Sequence, residues 1–315
     1  MKGLELSRLY YQEYGQAMIQ RHFRQYRDHL AAGLVGMGSE CFGFDDELSR
    51  DHDWGPAFCL WLNKELYSQI GHEVQAAIAD LPKAFATFDG REESSWGQGR
   101  TGVFEIGSFY RQFIGLERPP STLREWRLLP ESSLATATNG IVFDDPSGEF
   151  TAFRESLKQF YPEDVRLKKI ACRCMLMAQS GQYNFMRCVK RNELVAAQCA
   201  ETEFINNAIS MIFLLNKQYK PFYKWMHRAL RDLPIMGDST YDLFASLSCA
   251  HTIEDGRNLY ELKNELIENI CKQVIAELGR QGLSDSNSDF LLEHGPLVQS
   301  NIQDQLIKSI NVWTE

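Results

Sequence analysis

The stretch GMGSECFGFDDELSRDHDWGPAFCLWL, from Gly36 to Leu62, carries more information about the fold than any other part of the chain. A glycine-serine turn, Gly38-Ser39, is followed after eleven residues by Asp51-His52-Asp53 and then by the apolar run FCLWL. Residues i and i+2 of a β-strand point to the same face, so we predict that Asp51 and Asp53 project side by side from a strand. His52 would then point away from both carboxylates and belong to the core.

Two neighbouring carboxylates repel each other unless a cation lies between them. Oxygen ligands at this spacing suit Mg²⁺ or Mn²⁺, and Mg²⁺ takes its remaining ligands from water and substrate phosphates. Gly38 lets the backbone approach a phosphate closely, and Ser39 adds a hydroxyl and an N–H donor. We therefore predict a metal site at Asp51 and Asp53 beside a phosphate-binding turn. The alternative is an ordinary surface turn followed by an acidic helix N-cap.

The segment resembles the signature of the polymerase-beta-like nucleotidyltransferase superfamily, in which a Gly-Ser turn precedes Asp-x-Asp on the next strand. The string DDELSRDHDWGP, with its Asp-His-Asp-Trp-Gly-Pro core, is similar to a bacterial family of nucleotidyltransferase-like proteins of unassigned substrate. The similarity continues in YNFMRCVKR (183–191) and FLLNKQYKPFYKW (213–225). Gly55-Pro56 departs from the superfamily pattern, because proline in a strand requires a bulge or an edge.

The resemblance implies a Mg²⁺-dependent enzyme that transfers a nucleoside monophosphate from an NTP, expected to be ATP, to a hydroxyl. Its kanamycin-nucleotidyltransferase-like architecture suggests a small polar acceptor, by analogy of fold. Two alternatives stay open. The acceptor could be a macromolecule, either tRNA or a protein, or the domain could bind nucleotide without catalysis.

The superfamily also implies a third carboxylate on a neighbouring strand, which serves as general base or metal ligand. Glu105, within the strand-like segment GVFEI, is our first candidate, because an acid among apolar strand residues is costly unless something pairs with it. Asp89 is the rival for this role. Glu105 could instead be an outward-facing residue of an edge strand.

We predict an α+β fold with two domains. A nucleotidyltransferase α/β domain, a mixed sheet with flanking helices, would cover residues 1–145, and an α-helical bundle closing the cleft would cover residues 146–315. The local patterns predict helices over 5–30 and 63–81, strands ending at residue 35 and covering 83–88 and 102–106, a loop over 89–101, and a small hairpin at 141–148.

The helical half contains two sets of candidate nucleotide-binding residues. Asn184, Arg187 and Arg191 fall at i, i+3 and i+7 and would share one helix face. Residues 216–231 form a basic stretch interleaved with aromatic residues, and the resemblance implies that such a helix supplies a cation to the phosphates, with Lys224 as first choice. The alternative is a solvated helix face.

Composition narrows the functional class. The chain has 315 residues and a formal net charge of −9, which gives no overall attraction for nucleic acid, although a local basic contact stays open. No apolar run approaches the roughly eighteen residues of a membrane span, and the N-terminus does not read as a signal peptide, so we expect a cytoplasmic protein without a membrane partner. Eight cysteines without a CxxC pair predict reduced core residues rather than a zinc site.

Overall fold

The computed structural model describes residues 1–92, 94–95, 97–249 and 258–315, with the side chain of Cys249 left out. The loop prediction at Glu93 and Trp96, and the cysteine prediction at Cys249, lie outside this description. The chain divides into two compact units. The first comprises Met1–Pro120 and Ser133–Gln159, and the second comprises Ser121–Ser132 and Phe160–Glu315. The first unit therefore continues beyond residue 145, and a short segment before that position belongs to the second.

Four short strands form one mixed sheet in the first unit, in the order β3-β2-β1-β4. The strand β1 is antiparallel to both β2 and β4, whereas β2 and β3 are parallel. The strands are Ala31–Leu34 (β1), Cys59–Leu62 (β2), Gly102–Glu105 (β3) and Ile141–Asp144 (β4). This mixed sheet with helices, together with a second unit whose described elements are all helical, confirms the predicted α+β fold class.

Helices account for most of the remaining described chain. The α-helices are Gly3–Tyr10 (α1), Gln16–His22 (α2), Lys64–Ala79 (α3), Ile106–Ile114 (α4), Leu123–Leu128 (α5), Glu131–Thr138 (α6), Glu149–Lys158 (α7), Glu163–Met177 (α8), Met186–Lys190 (α9), Leu194–Leu215 (α10), Tyr223–Leu230 (α11), Gly237–Cys249 (α12), Leu259–Arg280 (α13), Leu291–Ser300 (α14) and Gln305–Ser309 (α15). Tyr11–Gly15 and Ala178–Phe185 are π-helical, and Arg24–His29, Glu40–Phe42 and Leu48–Arg50 are 3₁₀ turns. Among the described residues, no helix combines the length and hydropathy needed to cross a bilayer.

The helix predicted after Asn63 is confirmed, because the Asn63 side chain accepts a hydrogen bond from the Leu66 N–H at 3.0 Å and so caps α3. Leu60 and Leu62 of β2 belong to an apolar cluster with residues of α1, α2 and α3. Trp61 points the other way and stacks on Phe150 of α7 at 3.8 Å between ring centroids. The alternation of side chains along β2 thus buries both faces of the strand.

Three local predictions are wrong. Residues 83–88 do not form a strand, since only an isolated bridge joins Phe85 and Phe88. β4 pairs with β1 instead of closing a hairpin. Asp51, His52 and Asp53 lie in bends before β2, which begins at Cys59. Asp53 has a φ of 54° and Gly55 a φ of 144°, and Pro56 has no N–H to donate, so this segment cannot continue the strand.

In the second unit, α8 packs against α10 and α14, and α12 packs against α13. The apolar residues that repeat at helical spacing on α8 and α13 face this core, since Leu167, Ile170, Cys174, Ile270 and Val274 are all buried. The second unit is therefore a packed helical bundle with its own core.

Candidate functional site

Several loops meet at one end of the sheet. The antiparallel pairing of Gly33 with Cys59 brings the carboxyl end of β1 next to the amino end of β2, and β3 begins beside the same residue, at Gly102. We call this the loop end of the sheet and define it by residues 36–41, 51–58, 89–92, 94–95, 97–101 and 139–140. It contains both the Gly-Ser turn and the Asp-His-Asp segment.

The Gly-Ser turn follows β1 directly, as predicted. Gly38 has a φ of 124°, and a Cβ at this position would lie 2.5 Å from Oε2 of Glu40, so glycine is required here for two reasons. Ser39 begins the 3₁₀ turn Glu40–Phe42, and its side chain makes no capping hydrogen bond. The turn thus places the main chain of Gly38 and the hydroxyl of Ser39 at the loop end.

Asp53 is buried at the loop end, and both of its carboxylate oxygens have partners. Oδ1 accepts a hydrogen bond from the Ser94 N–H at 2.7 Å, and Oδ2 accepts one from the Ser94 hydroxyl at 2.6 Å. Nη1 of Arg100 lies 3.5 Å from Oδ2. Burial alone would raise the pKa of Asp53, but the hydrogen bonds from Ser94 and the charge of Arg100 outweigh it and hold the pKa below its usual value.

Close packing also holds this carboxylate in place. A Cβ at Gly97 would lie 1.7 Å from Oδ1 of Asp53, so a side chain larger than hydrogen at position 97 would displace the loop. Asp53 therefore fixes the described part of the 91–100 loop against the start of β2.

Asp51 does not share a face with Asp53. Its side chain is 65% exposed and pairs with Nδ1 of His52 at 2.8 Å, and His52 is itself 59% exposed. The expectation that His52 lies in the core, away from both carboxylates, is therefore wrong. The cause is the bend at 51–53, which removes the two-residue periodicity of a strand.

As arranged here, Asp51 and Asp53 do not fit a divalent metal ion, because one carboxylate is at the surface and the other is occupied by Ser94 and Arg100. Within the described part of the chain, no group of three or more His, Cys, Asp or Glu side chains could hold a metal.

A second buried ion pair joins the turn to the same loop. Nη2 of Arg91 lies 2.6 Å from Oε1 of Glu40, with both side chains almost completely buried, and it also donates to the backbone oxygen of Asp53. Sequence reasoning missed both residues. Glu40 could have been noticed as an acid directly after the Gly-Ser turn, but no local pattern identifies Arg91 as its partner.

Glu105 lies at the opposite end of β2 from the loop end, since it pairs with Leu62 whereas Gly102 pairs with Cys59. Its carboxylate caps α4 and accepts hydrogen bonds from the N–H groups of Gly107 at 2.8 Å and Ser108 at 2.5 Å. The structure thus brings Glu105 to a helix N-terminus and not to Asp53.

Burial alone would raise the pKa of Glu105, but these hydrogen bonds hold it below its usual value. The rival, Asp89, is exposed at the loop end, where its backbone oxygen would lie 3.3 Å from a Cβ at Gly55.

A cavity of about 250 Å³ adjoins the loop end in the first unit. Lys83 and Arg91 contribute cations to its wall, and Tyr10 and Phe58 contribute aromatic rings. Such a combination suits a ligand with an anionic group and a flat apolar part.

The candidate residues of the second unit lie on two parts of the chain, the helical run 178–190 with the residue that follows it, and α11. Asn184 is in the π-helical segment 178–185, Arg187 is in α9 with its guanidinium 4.6 Å from the centre of the Tyr183 ring, and Arg191 follows α9. Lys224 is exposed on α11, and its ammonium group lies 5.0 Å from the centre of the Trp225 ring. Both cations therefore pack on aromatic faces of their own unit.

Comparison with known proteins gives limited matches. A family model described as "Domain of unknown function (DUF4037)" matches residues 126–226. A crystal structure of a nucleotidyltransferase-like protein from Exiguobacterium sibiricum 255-15 matches with 9% sequence identity and a TM-score of 0.36, covering 85% of this chain and 78% of that chain. No curated protein matches.

Proposed function

We propose that this protein is a nucleotidyltransferase that moves a nucleoside monophosphate from an NTP to a hydroxyl of a small polar acceptor. The observation that carries the proposal is the meeting of the Gly38-Ser39 turn and the Asp53 segment at one end of the sheet. The sequence resemblance assigns both the turn and the Asp53 segment to nucleotide binding. A nucleotide can contact both only if they lie close together.

The chain supplies chemistry for a polyphosphate at the loop end. The glycine turn can bring backbone close to a ligand, Ser39 offers a hydroxyl, and Lys83 supplies positive charge in the wall of the cavity that adjoins the loop end. Asn184, Arg187, Arg191 and Lys224 remain proposed nucleotide-binding residues of the second unit.

For the proton of the acceptor hydroxyl we propose Asp89, because it is exposed at the loop end while Glu105 is engaged as a helix cap. Glu105, the first candidate from the sequence, is the alternative for this role. Binding of Mg²⁺ or Mn²⁺ by Asp51 and Asp53 stays a prediction. Such binding requires Asp53 to leave its hydrogen bonds with Ser94.

One observation favours a second candidate, nucleotide binding without catalysis. Asp53 and Glu40, the buried carboxylates of the loop end, are already neutralised by Arg100 and Arg91. A site whose acids are internally paired can bind an anion without supplying a base.

The main test is transfer of label. The protein is incubated with each α-labelled NTP, with Mg²⁺ or Mn²⁺, and with cell extract as acceptor. We expect a small labelled product that disappears with Asp53→Asn and persists with the matched control Asp46→Asn from the same spacer. A labelled RNA or protein would instead identify a macromolecular acceptor, and binding without any labelled product would favour the second candidate.

Binding calorimetry tests the site itself. Asp53→Asn should lose Mg·NTP binding while its circular dichroism stays that of the parent. Ser94→Ala should bind Mg·NTP more tightly than the parent, because it removes the hydroxyl hydrogen bond that competes for Oδ2 of Asp53, although the main-chain N–H of residue 94 still donates to Oδ1. Unchanged affinity in Asp53→Asn would show that nucleotide does not bind through this residue.

In the label-transfer assay, Asp89→Asn should lower turnover by roughly 10²- to 10⁴-fold, as expected for loss of a general base. Calorimetry should show that this variant still binds NTP. Glu105→Gln should leave turnover close to that of the parent. The reverse result would assign the base to Glu105.

A further inference from the structure

The second unit contains a group of charged residues that the proposed function does not use. Three cations, Arg127, Lys169 and Arg173, surround the two carboxylates of Glu131 and Glu315. We call these five residues the Glu315 cluster. All of them lie in the second unit.

The contacts converge on Glu315. Its Oε2 accepts a hydrogen bond from Nζ of Lys169 at 2.7 Å, and its Oε1 pairs with Nη2 of Arg173. Nη1 of Arg127 donates to the backbone oxygen of Glu315. One acidic residue therefore receives contacts from three separate cations.

The second carboxylate lies deeper. Glu131 is 5% exposed, and its Oε1 accepts from the hydroxyl of Ser210 at 2.6 Å and lies 3.3 Å from Nη2 of Arg173. The side chain of Lys169 is only 2% exposed, whereas that of Glu315 is 31% exposed. Glu315 is thus the outer carboxylate, the one in contact with solvent, and it covers two buried or nearly buried cations.

The side chains of the cluster comprise three cations and two carboxylates, and Arg127 contacts the main-chain oxygen of Glu315 and not its side chain. Burial alone would raise the pKa of Glu315, but the charges of Arg173 and Lys169 outweigh it and hold the pKa below its usual value. Among the described residues, Nε of Arg127 and Oε2 of Glu131 are both buried without a hydrogen-bond partner. An anion with more oxygens than one carboxylate would offer Arg127 an additional acceptor.

We propose that Arg127, Lys169 and Arg173 form a binding site for a phosphoryl group, and that the Glu315 carboxylate occupies this site as an internal ligand. A phosphate dianion offers additional acceptor oxygens and carries twice the charge of a carboxylate, so it reaches donors that the two oxygens of Glu315 leave unused. The proposal is independent of nucleotidyl transfer, because none of the residues at the loop end takes part in it.

The test compares the parent with Glu315→Ala and Glu315→Gln in the full chain. Thermal unfolding is recorded in chloride and in orthophosphate at equal ionic strength and pH. In chloride, both variants should unfold at lower temperature than the parent, because buried cations lose their counter-charge. Phosphate should raise the unfolding temperature of the variants clearly more than that of the parent.

Calorimetry then measures affinity directly. Orthophosphate, pyrophosphate and ATP should each be titrated into the parent and into Glu315→Ala, with binding at least about tenfold tighter to the variant for one of the three. Preference for orthophosphate would indicate a free ion, and preference for pyrophosphate or ATP would indicate the phosphoryl end of a larger ligand. The double variant with Lys169→Met and Glu315→Ala should lose the increase in affinity that Glu315→Ala shows alone.

The control is Glu293→Ala, which removes an exposed carboxylate from the same unit and should respond to phosphate like the parent. The proposal is overturned if phosphate stabilises parent and variants equally, or if both variants are as stable as the parent in chloride. Variants that fail to fold in chloride but fold in phosphate support it, and variants that fail to fold in both salts overturn it.

Discussion

Asp53 combines two features that seldom occur in one residue, a left-handed backbone conformation and a buried carboxylate. The backbone conformation lets the chain turn sharply before β2, and the carboxylate then receives the Ser94 N–H and hydroxyl. A single residue thus both ends the preceding loop and anchors a second loop about forty residues later.

This arrangement predicts acid sensitivity. Because the pKa of folded Asp53 is lowered, its stabilisation is fully present above the unfolded pKa of about 3.9 and is lost as pH falls through the lower folded value. Asp53→Asn should lower the free energy of unfolding near neutral pH by on the order of 1–3 kcal/mol. As the pH falls into the acid range, the free energy of unfolding of the variant should also decrease less than that of the parent.

Urea unfolding of parent and variant, followed from neutral pH down to about pH 3, checks this prediction. If the two curves of unfolding free energy against pH run parallel below pH 5, the carboxylate of Asp53 does not provide the acid-sensitive contact.

Between elements, Lys168 of α8 makes an unusual connection. Its side chain is fully buried, and its ammonium group donates to Oε1 of Gln299 in α14 at 2.7 Å and to the backbone oxygens of Ile310 and Asn311 at 3.0 and 2.8 Å. All three acceptors are neutral. The connection therefore ties α8 to α14 and to the segment after α15 without a counter-charge.

Burial lowers the pKa of Lys168 from 10.5 to about 8. Between these two values the unfolded chain holds a proton that the folded protein has released, so the free energy of unfolding rises with pH. We expect this contribution, on the order of 2–3 kcal/mol between about pH 8 and pH 10, to be absent in Lys168→Met.

The measurement is the difference in unfolding free energy between parent and Lys168→Met across that range, since other titrating groups cancel in the difference. Lys263→Met, which removes a mostly buried lysine that is paired with Glu201, is the matched control. A constant difference between parent and Lys168→Met would show that Lys168 keeps its ordinary pKa.

On the scale of the whole chain, residues 121–132 belong to the helical unit although they precede the last part of the first unit. Tyr161 donates from its hydroxyl to the backbone oxygen of Leu129 at 2.7 Å, and Trp126 packs edge-on against the Tyr161 ring. The helical bundle is thus completed by a segment from earlier in the sequence.

Trp126→Ala should therefore destabilise the second unit selectively, by about 3–5 kcal/mol for a buried tryptophan. Hydrogen exchange followed by mass spectrometry should show faster exchange in α8 and unchanged exchange in β1 and β2. The matched variant Trp54→Ala, in the first unit, should show the opposite pattern. Equal acceleration in both units after Trp126→Ala would contradict the assignment of this segment.

Local sequence by itself determined much of the fold. The Asn63 cap, the strand at 102–105, the helical second half and the position of the Gly-Ser turn after β1 all depend on residues close together in the chain. Capping, strand alternation and helical periodicity act over a few residues, so the sequence displays them directly.

Only the tertiary structure decided what the acidic residues contact. Asp53 meets Ser94, Glu40 meets Arg91, and Glu105 turns back to cap α4. The first two pairs are separated by 41 and 51 residues, and no periodicity relates residues so far apart. Their partners follow from the path of the chain around the sheet, which depends on strand order and on the burial of charge in a packed interior.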